Sequence, residues 1–277
     1  MKSGPLGRLL RLTPGDPRIG AADARLRDVA RALVANQSVP GWDPVTSSAQ
    51  ARVARGQVDG KTVFLKVFLP RSSRELLKSI GRGSRGVRAA RRTAELRADG
   101  FDAPAVLAHG WAGNYEILLM EEVKGQSLLR LLSRRLGPPL ADLTARRRLL
   151  RGVGREVARM HAAGWVHGDL RLGNVLLRDV APDREPRFCF LDNESSRKSN
   201  RPGLRERNLV QFNMIASRYL SRTDRCRVLA AYASQMGMDR RARHSLGSHV
   251  WQRTVERWQA RDARGGPKPR HRVEPGA

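Results

Sequence analysis

Three polar residues of the chain stand at a spacing that suits phosphoryl transfer. In the segment WVHGDLRLGN, Asp169 follows His167 by two positions and Asn174 follows Asp169 by five. A further carboxylate, Asp192, comes after them in FCFLDNE. Phosphoryl transfer requires one carboxylate that orients the acceptor hydroxyl, and a second carboxylate with an amide that holds a metal ion. Asp169, Asp192 and Asn174 match these three tasks.

A purely structural interpretation of the same residues stays open, because His-Gly-Asp can form a turn and Asp192 can cap a strand. The surrounding pattern favours the chemical interpretation. Val175–Leu177 predicts a buried strand, residues 181–186 a turn, and Phe188–Leu191 the returning strand. Such a hairpin would carry Asp192 back to Asn174.

The chain is strongly basic. Its 277 residues hold 53 Lys and Arg against 26 Asp and Glu, which gives a net charge of +27, and Arg dominates. This charge attracts polyanions such as nucleic acid, an anionic lipid surface or a phosphorylated glycan, although an Arg-biased genome gives the same composition. Composition alone does not choose among these partners.

Cysteine usage and hydropathy indicate the compartment. Cys189 and Cys226 lie in apolar stretches and are predicted to be free, buried thiols, which favours a reducing, cytoplasmic setting. The N-terminal residues lack the apolar core of a signal peptide, and no apolar run reaches the roughly 18 residues of a membrane span. We therefore expect any membrane contact to be peripheral.

The elements before the hairpin predict a small sheet with flanking helices. Asp23–Val34 has apolar residues at helical spacing, and residues 50–69 form two strands joined by the turn Asp59-Gly60. Lys66 lies inside the second strand, VFLKVF, where a Lys can also extend its charge into solvent at a sheet edge. Its functional role thus depends on what surrounds it.

The segment Arg71–Arg92 carries eight cations against a single acid, Glu75. We expect a mobile basic loop that runs into a helix containing Glu95, because Ala89–Leu96 consists of good helix formers. The charge run is either a solvated face or a surface that binds anions.

The rest of the chain is predicted to be mainly helical. Strands at Val106–His109 and Ile117–Met120 lead to a domain boundary at Glu121–Gly125. A long helix capped by Asp142 then enters the WVHGDLRLGN segment, with one apolar face formed by Leu143, Leu150, Val153, Val157 and Met160. Three further helices are expected over Asn208–Leu220, Asp224–Met236 and Arg240–Trp258, the last packing through Trp251, Val255 and Trp258.

Over residues 50–260, the order of these parts resembles the protein-kinase-like fold. The chain is most similar there to the lipopolysaccharide kinases that phosphorylate Kdo or heptose of the inner core, through FLKVF, ARRTAELRADGFDAP, HGDLRLGNVLL and the later NLV and TDRCRVLAAY. The resemblance implies an α+β, two-lobed fold with a small N-terminal antiparallel sheet lobe and a mainly helical C-terminal lobe. The implied parts are an extension with a helix (1–48), the N-lobe (49–122), the C-lobe (123–261) and a disordered basic tail (262–277).

The resemblance also implies a role for each candidate residue. Lys66 would bridge the α- and β-phosphates of ATP and pair with Glu95. Asp169 would be the catalytic base, while Asn174 and Asp192 would hold Mg²⁺. These roles agree with those that the residue types suggest on their own.

The adenine ring would be held by backbone groups of Met120–Val123, chiefly those of Glu121 and Val123, an assignment that the resemblance alone implies. His167 is expected to be structural, because its imidazole can bond to nearby backbone.

The chain departs from the common kinase pattern at several positions. No G-x-G-x-x-G loop precedes Lys66, so the hairpin around Arg55-Gly56, or basic side chains, would cover the phosphates. Asn193-Glu194 follow Asp192 in place of Phe-Gly, and no A-P-E segment follows, which argues against an ordinary eukaryotic-type protein kinase. Gly168 replaces the arginine that would bind an activation-loop phosphate.

The leading hypothesis is an ATP- and Mg²⁺-dependent kinase that phosphorylates a sugar hydroxyl of a lipid-anchored core glycan. It would be cytoplasmic or peripheral on the inner membrane, and the Arg-rich segment 71–92 would hold the acidic acceptor or the anionic leaflet. Alternatives among enzymes are a small-molecule phosphotransferase of the aminoglycoside or choline kinase type and a RIO-like protein kinase. An alternative of another class is a nucleic-acid-binding pseudokinase, which is disfavoured because the whole catalytic set is present and the basic residues lack interleaved aromatics.

Overall fold

The computed structural model describes residues 23–70, 83–133, 143–179, 185–215, 219–263, 265 and 270–271. The predicted cap at Asp142, most of the turn at 181–186, the first half of the basic segment and most of the tail lie outside these ranges. The described chain divides into two compact units. The first holds the residues up to Glu95 together with Pro104–Glu122 and Lys268–Ala277, and the second holds Leu96–Ala103 and Val123–Pro267.

The first unit is built on a five-stranded antiparallel sheet with the strand order β1-β3-β4-β6-β5. Its elements are α1 (Asp23–Val34), β1 (Trp42–Val45), β2 (Ser47–Ser48), β3 (Ala51–Val58), β4 (Lys61–Phe68), α2 (Arg85–Ala98), β5 (Val106–Ala112) and β6 (Tyr115–Glu121). The predicted helix and strands are present, and β5 and β6 are longer than expected. Asp59 and Gly60 both have positive φ, as a tight two-residue hairpin turn requires.

The apolar stripe of α1 is buried against one face of this sheet. Leu26 and Leu33 pack in one cluster with Val63 and Leu65 of β4. Since alternate residues of a strand point to opposite faces, the side chains of Val63, Leu65 and Val67 share a face and that of Lys66 lies on the other. The strand pattern therefore places Lys66 on the face opposite to the core residues Val63, Leu65 and Val67.

Helix α2 corrects the prediction for the basic segment, because Arg85 and Gly86 are helical and do not belong to a loop. Sequence propensity placed the helix from Ala89 because Gly86 is a poor helix former. The buried carboxylate of Glu116 on β6 supplies the missing stabilisation by accepting hydrogen bonds at the first turn of α2, as detailed below.

The second unit is mainly helical, with small sheets β10-β9-β7 and β11-β8. Its elements are β7 (Gln126–Ser127), α3 (Leu128–Ser133), α4 (Leu143–Ala162), β8 (Trp165–Val166), β9 (Val175–Asp179), β10 (Arg187–Phe190), β11 (Arg197–Lys198), α5 (Pro202–Asn213), α6 (Arg222–Gln235) and α7 (Arg240–Asp262). Four of the five residues predicted for the apolar face of α4 are buried, and Leu143 is wrong because it is 57% exposed. Beyond α7, Arg270–His271 form β12, which pairs with β2, whereas a tail without structure was predicted.

The C-terminal helices differ from their predictions at the ends and on one face. Helix α5 begins six residues earlier than expected and ends at Asn213. On α7, Val250 and Thr254 are buried, whereas Trp251 is 46% exposed and contacts Trp258 edge to face. The apolar face of α7 is therefore rotated away from the predicted Trp251 stripe.

Both cysteines are free thiols, as predicted, but only one of them is buried. Cys189 lies inside β10 and Cys226 is exposed on α6, so the predicted burial of Cys226 is wrong. Within the described ranges, no helix is both long and apolar enough to cross a membrane.

Candidate active site

The loop from His167 to Asn174 begins with a turn that only glycine fits. Gly168 has φ +79°, and a Cβ there would lie 2.5 Å from the backbone oxygen of Ser195. This close approach explains why a larger residue, such as the arginine common in kinases, is absent at Gly168. The loop is thereby packed directly against the turn that follows Asp192.

The carboxylate of Asp169 lies just beyond this turn and is partly exposed. Its Oδ1 accepts from Arg171 Nε at 2.8 Å, and the Nδ2 of Asn174 lies 3.4 Å from Oδ2. The same Nδ2 donates to the Asp169 backbone oxygen at 2.9 Å. The loop therefore brings Asp169 and Asn174 together, as their spacing suggested.

The hairpin β9–β10 delivers Asp192 to the same place. Its strands are antiparallel, with Phe190 opposite Val175, and the Leu191 N–H donates to the Asn174 backbone oxygen at 2.8 Å. Asp192 is next in the chain and adopts φ 59°, ψ 54°. A non-glycine residue in this left-handed region is strained, and such strain concentrates at functional sites.

His167 is buried and structural, as expected. Its Nε2 donates to the Leu191 backbone oxygen at 2.9 Å, which ties the loop to the returning strand. Burial lowers its pKa, although the charges of Asp192 and Asp169 oppose the shift. The imidazole is therefore neutral and serves to hold Leu191, and hence Asp192, in place.

Helix α5 holds the loop from the other side with two buried amides. Asn208 Oδ1 accepts from the backbone N–H of His167 at 2.9 Å, and Gln211 Nε2 donates to the Gly168 oxygen at 2.8 Å. The two amides also bond each other at 3.0 Å. Since each bond fixes loop backbone, α5 sets the conformation from which Asp169 projects.

A buried histidine of α4 completes this network. His161 Nε2 lies 3.2 Å from Asn208 Oδ1, and its Nδ1 lies 2.9 Å from the hydroxyl of Tyr232. Burial lowers the pKa of His161 to about 4, so that the ring is neutral near pH 7. A neutral ring that donates through Nε2 and accepts at Nδ1 satisfies both partners.

The donor set at Asn174 and Asp192 fits Mg²⁺. Because Asn174 uses its Nδ2 towards Asp169, its amide oxygen is left for a cation, and Asp192 adds an exposed carboxylate. Mg²⁺ is usually bound by one or two such oxygen ligands, while substrate phosphates and water complete its shell. In the part of the chain that the structure describes, no group of three or more His, Cys, Asp or Glu could hold a metal ion.

In the first unit, Lys66 and Glu95 lie on β4 and α2. Lys66 stands opposite Val53 and Leu118 in the sheet, and its Nζ lies 5.0 Å from the ring centroid of Phe68. The Glu95 carboxylate accepts from Arg92 Nη1 at 2.6 Å and lies 3.8 Å from Arg91 Nε. The contacts found for Glu95 are therefore with its own helix, and its pairing with Lys66 remains a proposal.

The N-terminus of α2 is anchored by Glu116, which is buried in β6. Its Oε1 accepts from His109 Nε2 at 2.7 Å, from the Ser84 hydroxyl and from the Val87 N–H. Burial alone would raise the pKa of Glu116, but the hydrogen bonds from His109, from the Gly86 backbone and from Ser84 outweigh it and lower the pKa. The helix that carries Glu95 is thus fixed to the sheet by a charged carboxylate.

The loop nearest to Lys66 is not the predicted one. Arg55 and Gly56 lie within β3, and a Cβ on Gly56 would collide with the ring of Trp42 at 2.5 Å, so this glycine serves packing. Ala51 stands opposite Phe68, which places the β1–β3 connection, residues 46–50, at the Lys66 end of β4. The segment at Arg55-Gly56 is therefore not the connection at this end of β4. The serine-containing residues 46–50 replace it as the candidate cover for phosphates.

The segment proposed to hold adenine follows β6. The N–H groups of Glu121 and Glu122 donate to the oxygens of Ala105 and Thr62 at 2.9 and 3.1 Å. The predicted use of the backbone of Glu121 and Val123 to hold adenine stays a prediction.

Sequence reasoning missed Arg171, Asn208, Gln211 and Glu116. A cation two residues after the presumed base was a visible signal for Arg171. The three others act through buried hydrogen bonds to elements distant in sequence, and no local pattern marks such partners.

Comparisons with known proteins identify a matching family and a matching fold. The model of the lipopolysaccharide kinase (Kdo/WaaP) family matches residues 42–232. The solved structure of WaaP in complex with acyl carrier protein superimposes with a TM-score of 0.55, covering 92% of this chain and 98% of that chain at 20% identity. The predicted α+β, protein-kinase-like fold is thereby confirmed.

Curated relatives match shorter parts of the chain. The EKC/KEOPS complex subunit Tp53rkb of Mus musculus is 34% identical over 140 residues, which is 50% of this chain and 56% of the relative. The KEOPS complex subunit Bud32 of Pyrococcus abyssi is 36% identical over 63 residues, 23% of this chain and 26% of the relative. The matched part of the chain thus spans about a quarter to just over half of the length of these relatives.

Proposed function

We infer the function from the premise that the chain belongs to the lipopolysaccharide kinase (Kdo/WaaP) family. We propose that it transfers the γ-phosphate of ATP to a sugar hydroxyl of the lipopolysaccharide inner core, on Kdo or heptose. The observation that carries this proposal is the geometry of the catalytic loop. Hydrogen bonds hold Asp169 beside Asn174, and Asn174 in turn accepts from Leu191, the residue directly before Asp192.

In this proposal, Asp169 acts on the acceptor. Its carboxylate accepts a hydrogen bond from the acceptor hydroxyl, aligns the oxygen for in-line attack and takes the proton as transfer proceeds. Asn174 keeps the carboxylate in orientation through its Nδ2. Arg171, which occupies Asp169 Oδ1 in the structure, is placed to exchange this contact for an oxygen of the transferred group.

Asn174 and Asp192 would hold Mg²⁺, which supplies neutralisation of phosphate charge when bound. Lys66 would contact the α- and β-phosphates, and Glu95 would position Lys66 after leaving its helical partners. The backbone of Glu121 and Val123 would receive the adenine.

The surroundings of the acceptor are proposed from charge. The described residues of α2 include Arg85, Arg88, Arg91 and Arg92, and with Glu95 as their one acid they form a basic face for the acidic glycan or an anionic leaflet. The protein would then act in the cytoplasm, peripherally on the inner membrane.

A second candidate is a RIO-like protein kinase, which the partial identity to the EKC/KEOPS complex subunits favours. The acceptor would then be a protein hydroxyl in place of a sugar. The small-molecule phosphotransferase and the nucleic-acid-binding pseudokinase stay as the further alternatives that the sequence suggests.

The deciding experiment compares core glycan from cells with and without the gene by mass spectrometry, together with transfer of labelled phosphate from ATP to purified core glycan in vitro. The proposal expects a gain of one phosphate on a defined sugar, and no gain with the Asp169→Asn protein. If the labelled phosphate were found only on protein and the mass of the glycan did not change, the RIO-like protein kinase would become the favoured function.

A further inference from the structure

Five arginines of the second unit lie on elements in or beside the catalytic loop. They lie on separate elements: Arg171 in the loop, Arg197 on β11, Arg207 on α5, and Arg253 and Arg257 on successive turns of α7. Burial lowers the pKa of Arg257, and the positive charges of Arg207 and Arg171 lower it further, while Asp169 raises it. Arg257 therefore lies within the electrostatic field of Arg207, of Arg171 and of the proposed base Asp169.

Most of this positive charge is not neutralised. Arg171 pairs with Asp169 at 2.8 Å, and Arg253 lies 3.6 Å from Glu256. Within the described ranges, no carboxylate comes within 4.0 Å of Arg197, Arg207 or Arg257. Like charges held together without a counterion repel each other, and a bound anion would relieve the repulsion.

Two of the arginines line a cavity at the loop. It has a volume of about 130 Å³ and its wall includes Gly168, Ser195, Arg197, Arg207 and Asn208. Pockets for whole small molecules measure about 300–1,000 Å³. This cavity therefore suits one anionic group, and Gly168 in its wall precedes Asp169 directly.

The framework that carries the arginines is rigid. Asn208 and Gln211 bond α5 to the loop backbone on either side of Gly168. Asn213 Nδ2 donates to the buried Thr254 hydroxyl at 3.0 Å, which joins α5 to α7 three residues before Arg257. These bonds link the backbone that carries Arg207 and Arg257 to the loop that carries Asp169, and such preorganisation favours specific recognition.

We propose that Arg197, Arg207 and Arg257 form a subsite for an anionic substituent of the acceptor, a carboxylate or a phosphate carried near the hydroxyl that Asp169 orients. This proposal rests on the proposed function and makes it more specific. The enzyme would select its acceptor by the negative charge of the glycan and not by the sugar ring alone. Planar guanidinium groups bind both kinds of oxyanion through paired hydrogen bonds.

The test compares the wild type with Arg207→Gln, Arg257→Gln and the double variant. Arg241→Gln is the matched control, because it lies on the same helix as Arg257 but 16 residues earlier, about 24 Å away at 1.5 Å per residue. The acceptors are purified core glycan, the same glycan with its carboxyl groups reduced, and the same glycan with its phosphates removed.

The expected result is a rise in the KM for native glycan of roughly tenfold for each single variant, the effect of losing a charge-assisted hydrogen bond. The KM for ATP and the basal ATP hydrolysis rate should stay unchanged, and Arg241→Gln should match the wild type. One of the two modified glycans should be a poor acceptor for the wild type, while the double variant uses it as well as it uses native glycan. The group removed from that glycan, carboxylate or phosphate, is the anion that the subsite binds. Equal KM values for charged and neutralised glycans in the wild type would overturn the subsite.

A binding measurement separates this proposal from the proposed function. Inorganic phosphate is titrated into protein saturated with a magnesium complex of a non-hydrolysable ATP analogue, so that the nucleotide groups are occupied. Weaker phosphate binding in the double variant than in Arg241→Gln supports the subsite even if no glycan is phosphorylated. Identical binding in both variants overturns it, whatever the acceptor proves to be.

Discussion

The loop that carries Asp169 and the side chain of Glu95 are held in place by different means. Buried hydrogen bonds from Asn208, Gln211 and His167 fix the loop backbone. Glu95 instead meets arginines of its own helix, in pairs whose side chains are 26–45% exposed.

This difference indicates that the residue proposed to bind the acceptor, Asp169, and the residue proposed to act at the nucleotide, Glu95, reach their catalytic positions in different ways. A buried polar network costs much to rearrange, because any group left unsatisfied loses its partner in a low dielectric. An exposed ion pair is worth only about 0–1 kcal/mol and is easily exchanged. We therefore expect the loop to be preorganised and the side chain of Glu95 to be repositioned by its ligand.

The largest expected effect sharpens the contrast between the two regions. Asp169→Asn keeps the size of the side chain but removes its basic oxygen, so turnover should fall about 10²- to 10⁴-fold while ATP affinity stays nearly constant. Lys66→Ala should lower both turnover and ATP affinity, since a phosphate contact is lost. Single-turnover rates and ATP titration calorimetry measure both quantities. A folded Asp169→Asn protein with wild-type turnover would contradict the assignment.

The second prediction tests the buried network by its stability. Asn208→Ala would leave the His167 N–H and the His161 Nε2–H without a partner. Each such donor costs about 1–3 kcal/mol, so the free energy of unfolding should fall by roughly 2–6 kcal/mol in urea denaturation. Asn200→Ala, at an exposed position, is the control and should change stability by less than about 0.5 kcal/mol. Equal effects of the two substitutions would mean that α5 does not hold the loop.

The elements predicted correctly are those whose pattern is local. The helix Asp23–Val34 and the hairpin turn Asp59-Gly60 follow from apolar spacing and turn chemistry. The meeting of Asn174 with Leu191 follows from two apolar runs joined by a turn. In each case, residues close in sequence determine the structure.

The features that sequence could not provide depend on distant partners. Helix α2 begins early because Glu116, thirty residues further on, binds its first turn. Asn208 and Gln211 interrupt the apolar periodicity of α5 because their amides face loop backbone inside the core, which looks like a solvent-facing pattern in the sequence. Cys226 and Trp251 were judged by apolar neighbours, whereas exposure depends on how far each helix is rotated.

The third prediction uses pH to act on the buried network. The pKa of His161 is lowered from 6.5 to about 4 in the folded protein, so protonation favours the unfolded state. This contribution to stability is fully present above pH 6.5 and is lost as the pH falls towards 4, in total about 3 kcal/mol. The lowered pKa of His167 acts in the same direction.

The measurement is urea unfolding of the wild type and of His161→Gln at pH 7, 5.5 and 4.5. Gln keeps hydrogen-bonding capacity but does not titrate, so the variant should lose less stability than the wild type on acidification. Parallel pH profiles would show that His161 is not held neutral by burial.

The smallest expected effect concerns the exposed side of the comparison. Arg92→Gln removes the 2.6 Å partner of Glu95, but pairs of this kind within one helix contribute only about 0.2–0.5 kcal/mol, so the midpoint of thermal unfolding should barely move. Turnover should be unchanged or slightly higher, because Glu95 is released towards Lys66. Glu95→Gln, by contrast, should reduce turnover while leaving stability within the same narrow range. If Arg92→Gln reduced turnover as much as Glu95→Gln, the pair within α2 would itself be the working arrangement, and Lys66 would have to be positioned by another group.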